Sequence, residues 1–235
     1  MSSVEHSMVA DLEIMAQANN YQNWMFRRIA PYVGQRILEV GAGIGNFTRL
    51  LLDRELVIPT DLSPLCVNKL QQRLSDGLHV QPKLLDLGDP SDDDWFQYRF
   101  DTIICLNVLE HVEDHLRALR FMHSVLETGG RAVILVPAFQ FLYGTIDKKI
   151  GHFRRYRRGS LLPVMREAGF IIEHSFYMNV IGIAGWFWNN RVRRIKEEDA
   201  GQIHVFDRYI APWAEQLERL LPPPFGLSLI AIGRK

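Results

Sequence analysis

The chain has 235 residues, a formal net charge of zero and an ordinary globular composition, with 47% hydrophobic and 23% charged residues. A chain of this length can bury a sizeable core, and this composition excludes a collagen-like, disordered or coiled-coil protein. The neutral balance argues against a nucleic-acid partner, because non-specific binding to phosphates needs an excess of basic groups.

Cysteine usage and hydropathy indicate the redox compartment of the chain and its relation to membranes. Cys66 and Cys105 lack the spacing of a disulfide framework or a zinc motif, so we expect a reducing, cytoplasmic location and no bound metal. The N-terminus is acidic where a signal peptide is basic, and no apolar run reaches the roughly 18 to 20 residues that a membrane span needs. We expect no stable membrane insertion; the apolar residues 181–188 and the basic run after them are compatible with a peripheral contact.

The predicted elements alternate between helices and short apolar strands along the chain. Apolar residues at helical spacing over residues 7–32 predict an N-terminal helical segment. Strands are predicted at residues 36–41, 55–60, 79–85, 100–108, 131–137, 170–177 and 225–233, and helices at residues 46–53, 63–75, 112–127, 161–168 and 207–221. This alternation is typical of βαβ units, so the sequence predicts an α/β, Rossmann-like fold.

A glycine-rich turn follows the first predicted strand, in ILEVGAGIGNFT at residues 37–48. Gly41, Gly43 and Gly45 permit a tight turn and the close approach of a nucleotide-like ligand. Asn46 takes the sixth position, so the motif is GxGxG rather than the GxGxxG of nicotinamide cofactors. Glu39 would repel a pyrophosphate but suits a cationic ligand, such as the sulfonium and amino-acid tail of S-adenosylmethionine.

The ends of the next three strands carry residues that could complete a cofactor site. Asp61 could accept both hydroxyls of a ribose, and Asp86 could take the amino group of an adenine. We expect a change at Asp61 to affect the cofactor and to leave stability nearly unaltered. The expected contacts are Asp61, Leu62, Asp86, Leu87, Asn107 and Val108.

Five motifs follow one another along the chain: ILEVGAGIG, PTDLS, LLDLGD, FDTIICLNVLEHVED and LETGGRAVILVPA. In this order they resemble those of the class I S-adenosylmethionine-dependent methyltransferases over about residues 36–175. The resemblance implies a seven-stranded sheet, mostly parallel with the last strand antiparallel, and helices on both faces. It also implies S-adenosylmethionine as cofactor and S-adenosylhomocysteine as product. Residues 143–170 are similar to bacterial members that share a Tyr, an Asp and a GHxRRY pattern and often accompany sugar transferases, which favours a small-molecule acceptor, glycan-linked or lipid-linked among others.

On this basis we expect one domain over residues 1–235. Its parts are an N-terminal helical cap at 1–33, a cofactor-binding core at 34–177, a substrate-side insert at 178–224 and the last strand at 225–235. The insert is too long for a plain loop in a compact domain, so it is expected to be structured and to cover the substrate together with the N-terminal cap.

Six further side chains are predicted to act at the acceptor or the cofactor. His152 and His111 are the predicted catalytic residues, because a histidine can exchange a proton near neutral pH. Tyr143, Arg155 and Tyr156 are the predicted substrate-binding residues, on the rim after the fifth strand. Each of these residues has packing or a solvated surface position as the alternative interpretation. Tyr21 is a predicted contact of the cofactor's methionine carboxylate, through the resemblance to members whose N-terminal helix covers the cofactor.

The sequence leaves several alternatives open. A non-catalytic S-adenosylmethionine-binding protein and a nicotinamide-dependent oxidoreductase of related fold are the rival functions. The acceptor atom can be oxygen, nitrogen or carbon, and a homo-oligomer is compatible with the sequence.

Overall fold

The computed structural model describes residues 9–10, 12–74, 79–90, 95–188 and 200–235. Its centre is one seven-stranded sheet in the order β3-β2-β1-β4-β5-β7-β6. The strands are β1 Arg36–Val40, β2 Leu56–Asp61, β3 Lys83–Leu84, β4 Phe100–Leu106, β5 Leu126–Pro137, β6 Ile171–Met178 and β7 Ser228–Arg234. β7 pairs antiparallel with β5 and β6, and β1 to β5 pair in parallel. The predicted fold is confirmed.

Eight α-helices are described, on both faces of the sheet and in the insert. They are α1 Asn19–Ile29, α2 Pro64–Leu74, α3 His115–Val125, α4 Thr145–Lys149, α5 Arg158–Glu167, α6 Gly182–Phe187, α7 Ala200–Val205 and α8 Ala211–Leu220. Residues of β1 alternate between two cores, because successive side chains of a strand point to opposite faces. Leu38 and Val40 pack with buried residues of α3 and α5, and Ile37 packs with buried residues of α1 and α8.

The structure differs from the predicted elements at several boundaries. Instead of a helix at 46–53 there is a single 3₁₀ turn, Thr48–Leu50, after the glycine turn. This segment is held by tertiary contacts, since the Asn46 amide donates to the Leu12 carbonyl at 2.7 Å and Leu51 is fully buried. The helix predicted at 207–221 is interrupted, with a π-helical turn at Phe206–Ile210 before α8.

Two buried acids anchor the insert between β6 and β7, one to the N-terminal helix and one to the chain that leaves β6. The Asp207 carboxylate accepts the backbone N–H groups of Asn20 (3.2 Å) and Tyr21 (2.8 Å), which lie in the first turn of α1. Glu218 accepts the N–H groups of Asn179 and Val180, where the chain leaves β6. Because the first N–H groups of a helix need acceptors, the Asp207 contacts hold the insert against the N-terminal helix.

Within the described residues, no helix has the length and apolar character to cross a membrane. The insert nevertheless exposes large apolar side chains: Ile181, Phe187, Trp188, Val205, Tyr209, Trp213, Leu217, Leu220, Leu221 and Phe225.

Candidate active site

The glycine turn lies where β1 ends, between the ends of its two parallel neighbours. Gly41, Gly43 and Gly45 have φ angles of +71°, +58° and +88°, a region that favours glycine. A Cβ on Gly41 would lie 2.1 Å from Cγ2 of Val108, which follows β4. The turn therefore presents bare backbone beside the end of β4, the usual place for a ligand in an open α/β sheet.

Glu39 places a buried carboxyl group directly under this turn. Its side chain is 3% exposed, and among the described residues its Oε2 atom has no hydrogen-bond partner. Burial, together with the nearby Asp61 carboxylate, raises the pKa of Glu39 to about 7. A buried acid that lacks a partner is costly, so this position favours a cationic ligand that would complete its hydrogen bonding.

Asp61 ends β2 and faces the same turn. Its Oδ2 accepts the Gly43 N–H at 2.9 Å and its Oδ1 accepts the Ser63 N–H at 2.9 Å. Burial raises its pKa, and these two backbone N–H groups act in the opposite direction. Each carboxylate oxygen has more than one lone pair, so Asp61 could still accept ribose hydroxyls while it holds the turn.

The remaining predicted cofactor residues fall into exposed and buried sets. Leu62 is 63% exposed beside Asp61, which leaves an apolar surface free for a flat ring. Asp86 is exposed and accepts the Gly88 N–H at 2.8 Å, whereas Leu87 is buried in the core. Asn107 is exposed and has a φ of +55°, a conformation that turns the chain sharply where β4 ends.

Tyr21 lies under the insert. Burial raises the pKa of its hydroxyl, and the polar side chains of Ser228 and Asn179, at the adjoining ends of β7 and β6, act in the opposite direction. Its ring packs edge-on against Trp24 and Phe206. The structure thus places Tyr21 in the joint between α1 and the insert, and its contact with a cofactor stays a prediction.

Two predicted catalytic histidines meet beyond the carboxyl end of β4. The rings of His111 and His152 are 4.5 Å apart between centroids and nearly perpendicular. Next to them is Glu110, fully buried, whose pKa is raised to about 8 by burial. Burial and the neighbouring His152 lower the pKa of His111 to about 4, although its side chain keeps a solvent-exposed surface. This group lies just beyond Val108, on the side where an acceptor could approach a cofactor.

Asp147 of α4 organises the other side of His152. Its Oδ1 atom is 2.7 Å from His152 Nδ1 and accepts Nε of Arg155 at 2.8 Å. Although burial alone would raise its pKa, the hydrogen bonds from His152, Arg155 and the Gly144 N–H lower it to about 2. An ionised Asp147 requires the proton of His152 to be on Nδ1, which leaves the Nε2 lone pair directed away from it.

The three predicted substrate-binding residues support this arrangement. The Tyr143 hydroxyl donates to the His152 carbonyl at 2.7 Å. The Arg155 guanidinium lies 4.6 Å from the ring centre of Trp186, in insert helix α6. Tyr156 is 2% exposed, with its hydroxyl 2.8 Å from His115 Nδ1. Arg155 and Tyr156 are therefore buried groups that shape the site, and their contact with a substrate stays a prediction.

Glu110 and Asp147 were not among the predicted site residues. Glu110 directly precedes the predicted His111, and Asp147 is the acid that accompanies the GHxRRY pattern. Both signals were visible as motif positions, but their meeting at His152 depends on the tertiary fold.

Comparisons with known proteins show what the chain is similar to. A family model described as a methyltransferase domain matches residues 16–175. The ubiquinone biosynthesis O-methyltransferase of Pseudomonas syringae pv. tomato is 30% identical over 167 residues, which cover 64% of this chain and 70% of that protein.

Solved methyltransferase structures share the fold. One, from a complex with the Haloferax volcanii methyltransferase activator Trm112, has a TM-score of 0.68 at 16% identity and covers 100% of this chain and 98% of its own. The N-methyltransferase NodS of Bradyrhizobium japonicum, in complex with S-adenosyl-l-homocysteine, has a TM-score of 0.58 at 16% identity and covers 92% and 86%. Because the family model matches the chain from residue 16 to residue 175, which includes most of the sheet, this chain belongs to the methyltransferase-domain family.

Proposed function

We propose that the chain transfers the methyl group of S-adenosylmethionine to a small acceptor, in the crevice at the carboxyl ends of β1, β2 and β4. The observation that carries this proposal is the unpartnered, buried Glu39 oxygen beneath a glycine turn of positive φ. When bound, S-adenosylmethionine supplies an electrophilic methyl group on a positively charged sulfur. Glu39 and the turn would hold its cationic methionine part, and Asp61 and Leu62 its ribose and adenine.

A nicotinamide-dependent oxidoreductase is disfavoured by the same turn. Dinucleotide sites place the pyrophosphate at the N-terminus of the helix that follows the glycines. Here only the 3₁₀ turn Thr48–Leu50 follows, and Glu39 brings a carboxyl group where phosphates would need positive charge. Both features favour a ligand that is cationic and lacks phosphate.

The acceptor is proposed to contact His111 and His152 as the catalytic residues. The backbone N–H of His111 donates to the Val108 carbonyl at 2.9 Å, and the ring of His152 packs on that of His111. The insert reaches the neighbouring loop, because the Trp186 indole N–H donates to the Leu142 carbonyl at 3.2 Å. The exposed apolar residues of the insert support an acceptor with an apolar portion, such as a lipid-linked molecule. Perturbed ionisable groups gathered in one place favour catalysis over mere cofactor binding.

The cytoplasmic location and a homo-oligomeric state stay predictions. Both cysteines lie in the described part of the chain and are buried free thiols, and burial raises the pKa of Cys66 to about 11. Such unreactive thiols are compatible with a reducing compartment.

Isothermal titration calorimetry of the full chain tests the proposed cofactor. We expect S-adenosylmethionine and S-adenosylhomocysteine to bind with dissociation constants in the low micromolar range or tighter, and NAD and NADP to bind far more weakly. Tight binding of a dinucleotide without any response to S-adenosylmethionine would refute the proposal.

Glu39 predicts a pH dependence of cofactor affinity. Its raised pKa means that the folded free protein retains a proton that the unfolded chain has released, so the free energy of unfolding falls as the pH rises from about 4.5 to about 7. A cationic ligand favours the ionised carboxylate, so affinity for S-adenosylmethionine should rise up to about tenfold between pH 6 and pH 8.

Calorimetry at several pH values on the wild type and on Glu39→Gln measures this effect. The variant should bind more weakly at pH 8 and show little pH dependence. A wild type with the same affinity at pH 6 and pH 8 would show that Glu39 does not face the cation.

A further inference from the structure

Glu110 is a buried carboxyl group that no basic group in the described structure approaches to hydrogen-bond distance. Its side chain is 0% exposed, and neither carboxylate oxygen has a hydrogen-bond partner among the described residues. The nearest basic nitrogen is His152 Nε2, 3.7 Å from Glu110 Oε1, which is too long for a hydrogen bond. Leaving both oxygens of a buried carboxylate unbonded is costly, so the position calls for a further group.

The separation of these atoms suits two ligands of one metal ion. Ligands that each lie about 2.1 Å from an ion are roughly 3 to 4 Å apart, and Glu110 and His152 are at 3.7 Å. One ligand atom from each of Glu110, His111 and His152 lies within 4.8 Å of the others. His111 is exposed, so an ion can enter from solvent on this side, and the imidazole is free to turn toward it as the third ligand.

The surroundings orient His152 as metal-binding histidines are usually oriented. Its Nδ1 is 2.7 Å from the Asp147 carboxylate, so Nε2 presents its lone pair toward Glu110. When a cation displaces the proton of Glu110, the charges of Glu110, Asp147 and Arg155 sum to one net negative charge while both histidines are neutral. Arg155 is already paired with Asp147, so its guanidinium does not pair with Glu110.

The cysteine spacing predicts no bound metal, but the three side chains that meet here include no cysteine, and we propose that Glu110, His111 and His152 bind one divalent transition-metal ion. Two imidazoles and one carboxylate are a ligand set that suits Zn²⁺ and Fe²⁺ better than Mg²⁺, which prefers oxygen ligands alone. Three protein ligands leave open positions, which an acceptor oxygen could take. This role at the acceptor rests on the proposed function, whereas the ion site itself does not. Binding to the ion would lower the pKa of an acceptor hydroxyl and fix its position, so the ion selects acceptors with a ligating hydroxyl or catechol group.

The experiment uses the full chain, treated with chelator and then titrated with Zn²⁺ in a competition assay with a chromophoric chelator. We expect one Zn²⁺ per chain, bound at least as tightly as about micromolar. Glu110→Gln and His152→Ala should weaken binding by more than about 100-fold, and Asp147→Asn by about 10- to 100-fold because it orients a ligand without contacting the ion. The visible absorption of bound Co²⁺ gives a second readout that shows nitrogen ligation directly.

Matched controls separate this site from adventitious binding. Glu113→Gln and His204→Gln change exposed residues of the same types and should leave Zn²⁺ affinity unaltered. The His111 side chain is exposed, so His111→Ala should fold even if the variants of the buried residues do not. It should also weaken the binding of Zn²⁺. No stoichiometric Zn²⁺, or equal affinity in wild type and His111→Ala, overturns the proposal.

S-adenosylhomocysteine binding, measured on the same samples without metal, separates this proposal from the proposed function. Cofactor binding without Zn²⁺ binding refutes the ion site alone, and Zn²⁺ binding without cofactor binding refutes the methyl-transfer proposal alone.

Discussion

Replacing His152 by alanine should lower the turnover number for methyl transfer by at least about 100-fold, the usual range for loss of a group that acts on the transferred proton or its oxygen. Affinity for S-adenosylhomocysteine should stay within about twofold, because His152 lies beyond Val108 on the acceptor side and its partners are Asp147 and Glu110. Turnover is measured with S-adenosylmethionine and the best acceptor from a panel of alkyl-substituted phenols and catechols.

The matched control is His174→Ala, a histidine of β6 that packs on Tyr32 away from the cluster. It should change turnover little. Equal turnover in His152→Ala and wild type, with the fold intact by circular dichroism, would remove His152 from the reaction and return it to a packing role.

Asp61→Ala should weaken the binding of S-adenosylmethionine by about 1.5 to 3 kcal/mol, or roughly 10- to 150-fold in the dissociation constant. This is the usual contribution of hydrogen bonds to a charged group. The structure adds a cost in stability that the sequence did not suggest. The Asp61 carboxylate accepts the N–H groups of Gly43 and Ser63, and its removal leaves both donors without that acceptor. We expect the free energy of unfolding to fall by about 1 to 2 kcal/mol, measured by urea denaturation.

Asp61→Asn keeps the volume and one acceptor oxygen and should lose less stability than the alanine variant. The exposed Asp53 is the control, and Asp53→Ala should leave both cofactor affinity and stability nearly unaltered. Unchanged affinity in folded Asp61→Asn and Asp61→Ala would show that the ribose lies elsewhere.

Local patterns predict the sheet and the glycine turn well because they are encoded within a few residues. The apolar runs of β1 and β4, and the glycines that follow β1, carry their structure in their own spacing. The 3₁₀ turn at Thr48–Leu50 could not be predicted from local spacing, because contacts with the N-terminal segment override the helical pattern.

The site divides in the same way. Glu39 and Asp61 could be found from the sequence, since each is fixed by its place at a strand end beside the glycines. The joining of Glu110, Asp147 and His152 could not, because it depends on how the loop after β5 folds back over the end of β4. The basic run around Arg155 also reads as a solvated surface, whereas the fold buries Arg155 between Asp147 and Trp186.

A crystal structure of the full chain with S-adenosylhomocysteine tests the central claim most directly. We expect the ribose hydroxyls on Asp61 and the amino-acid tail at Glu39 and the glycine turn. The sulfur should face the cluster of Glu110, His111 and His152 across Val108. A cofactor bound elsewhere, or a sulfur that points away from His111 and His152, would contradict it.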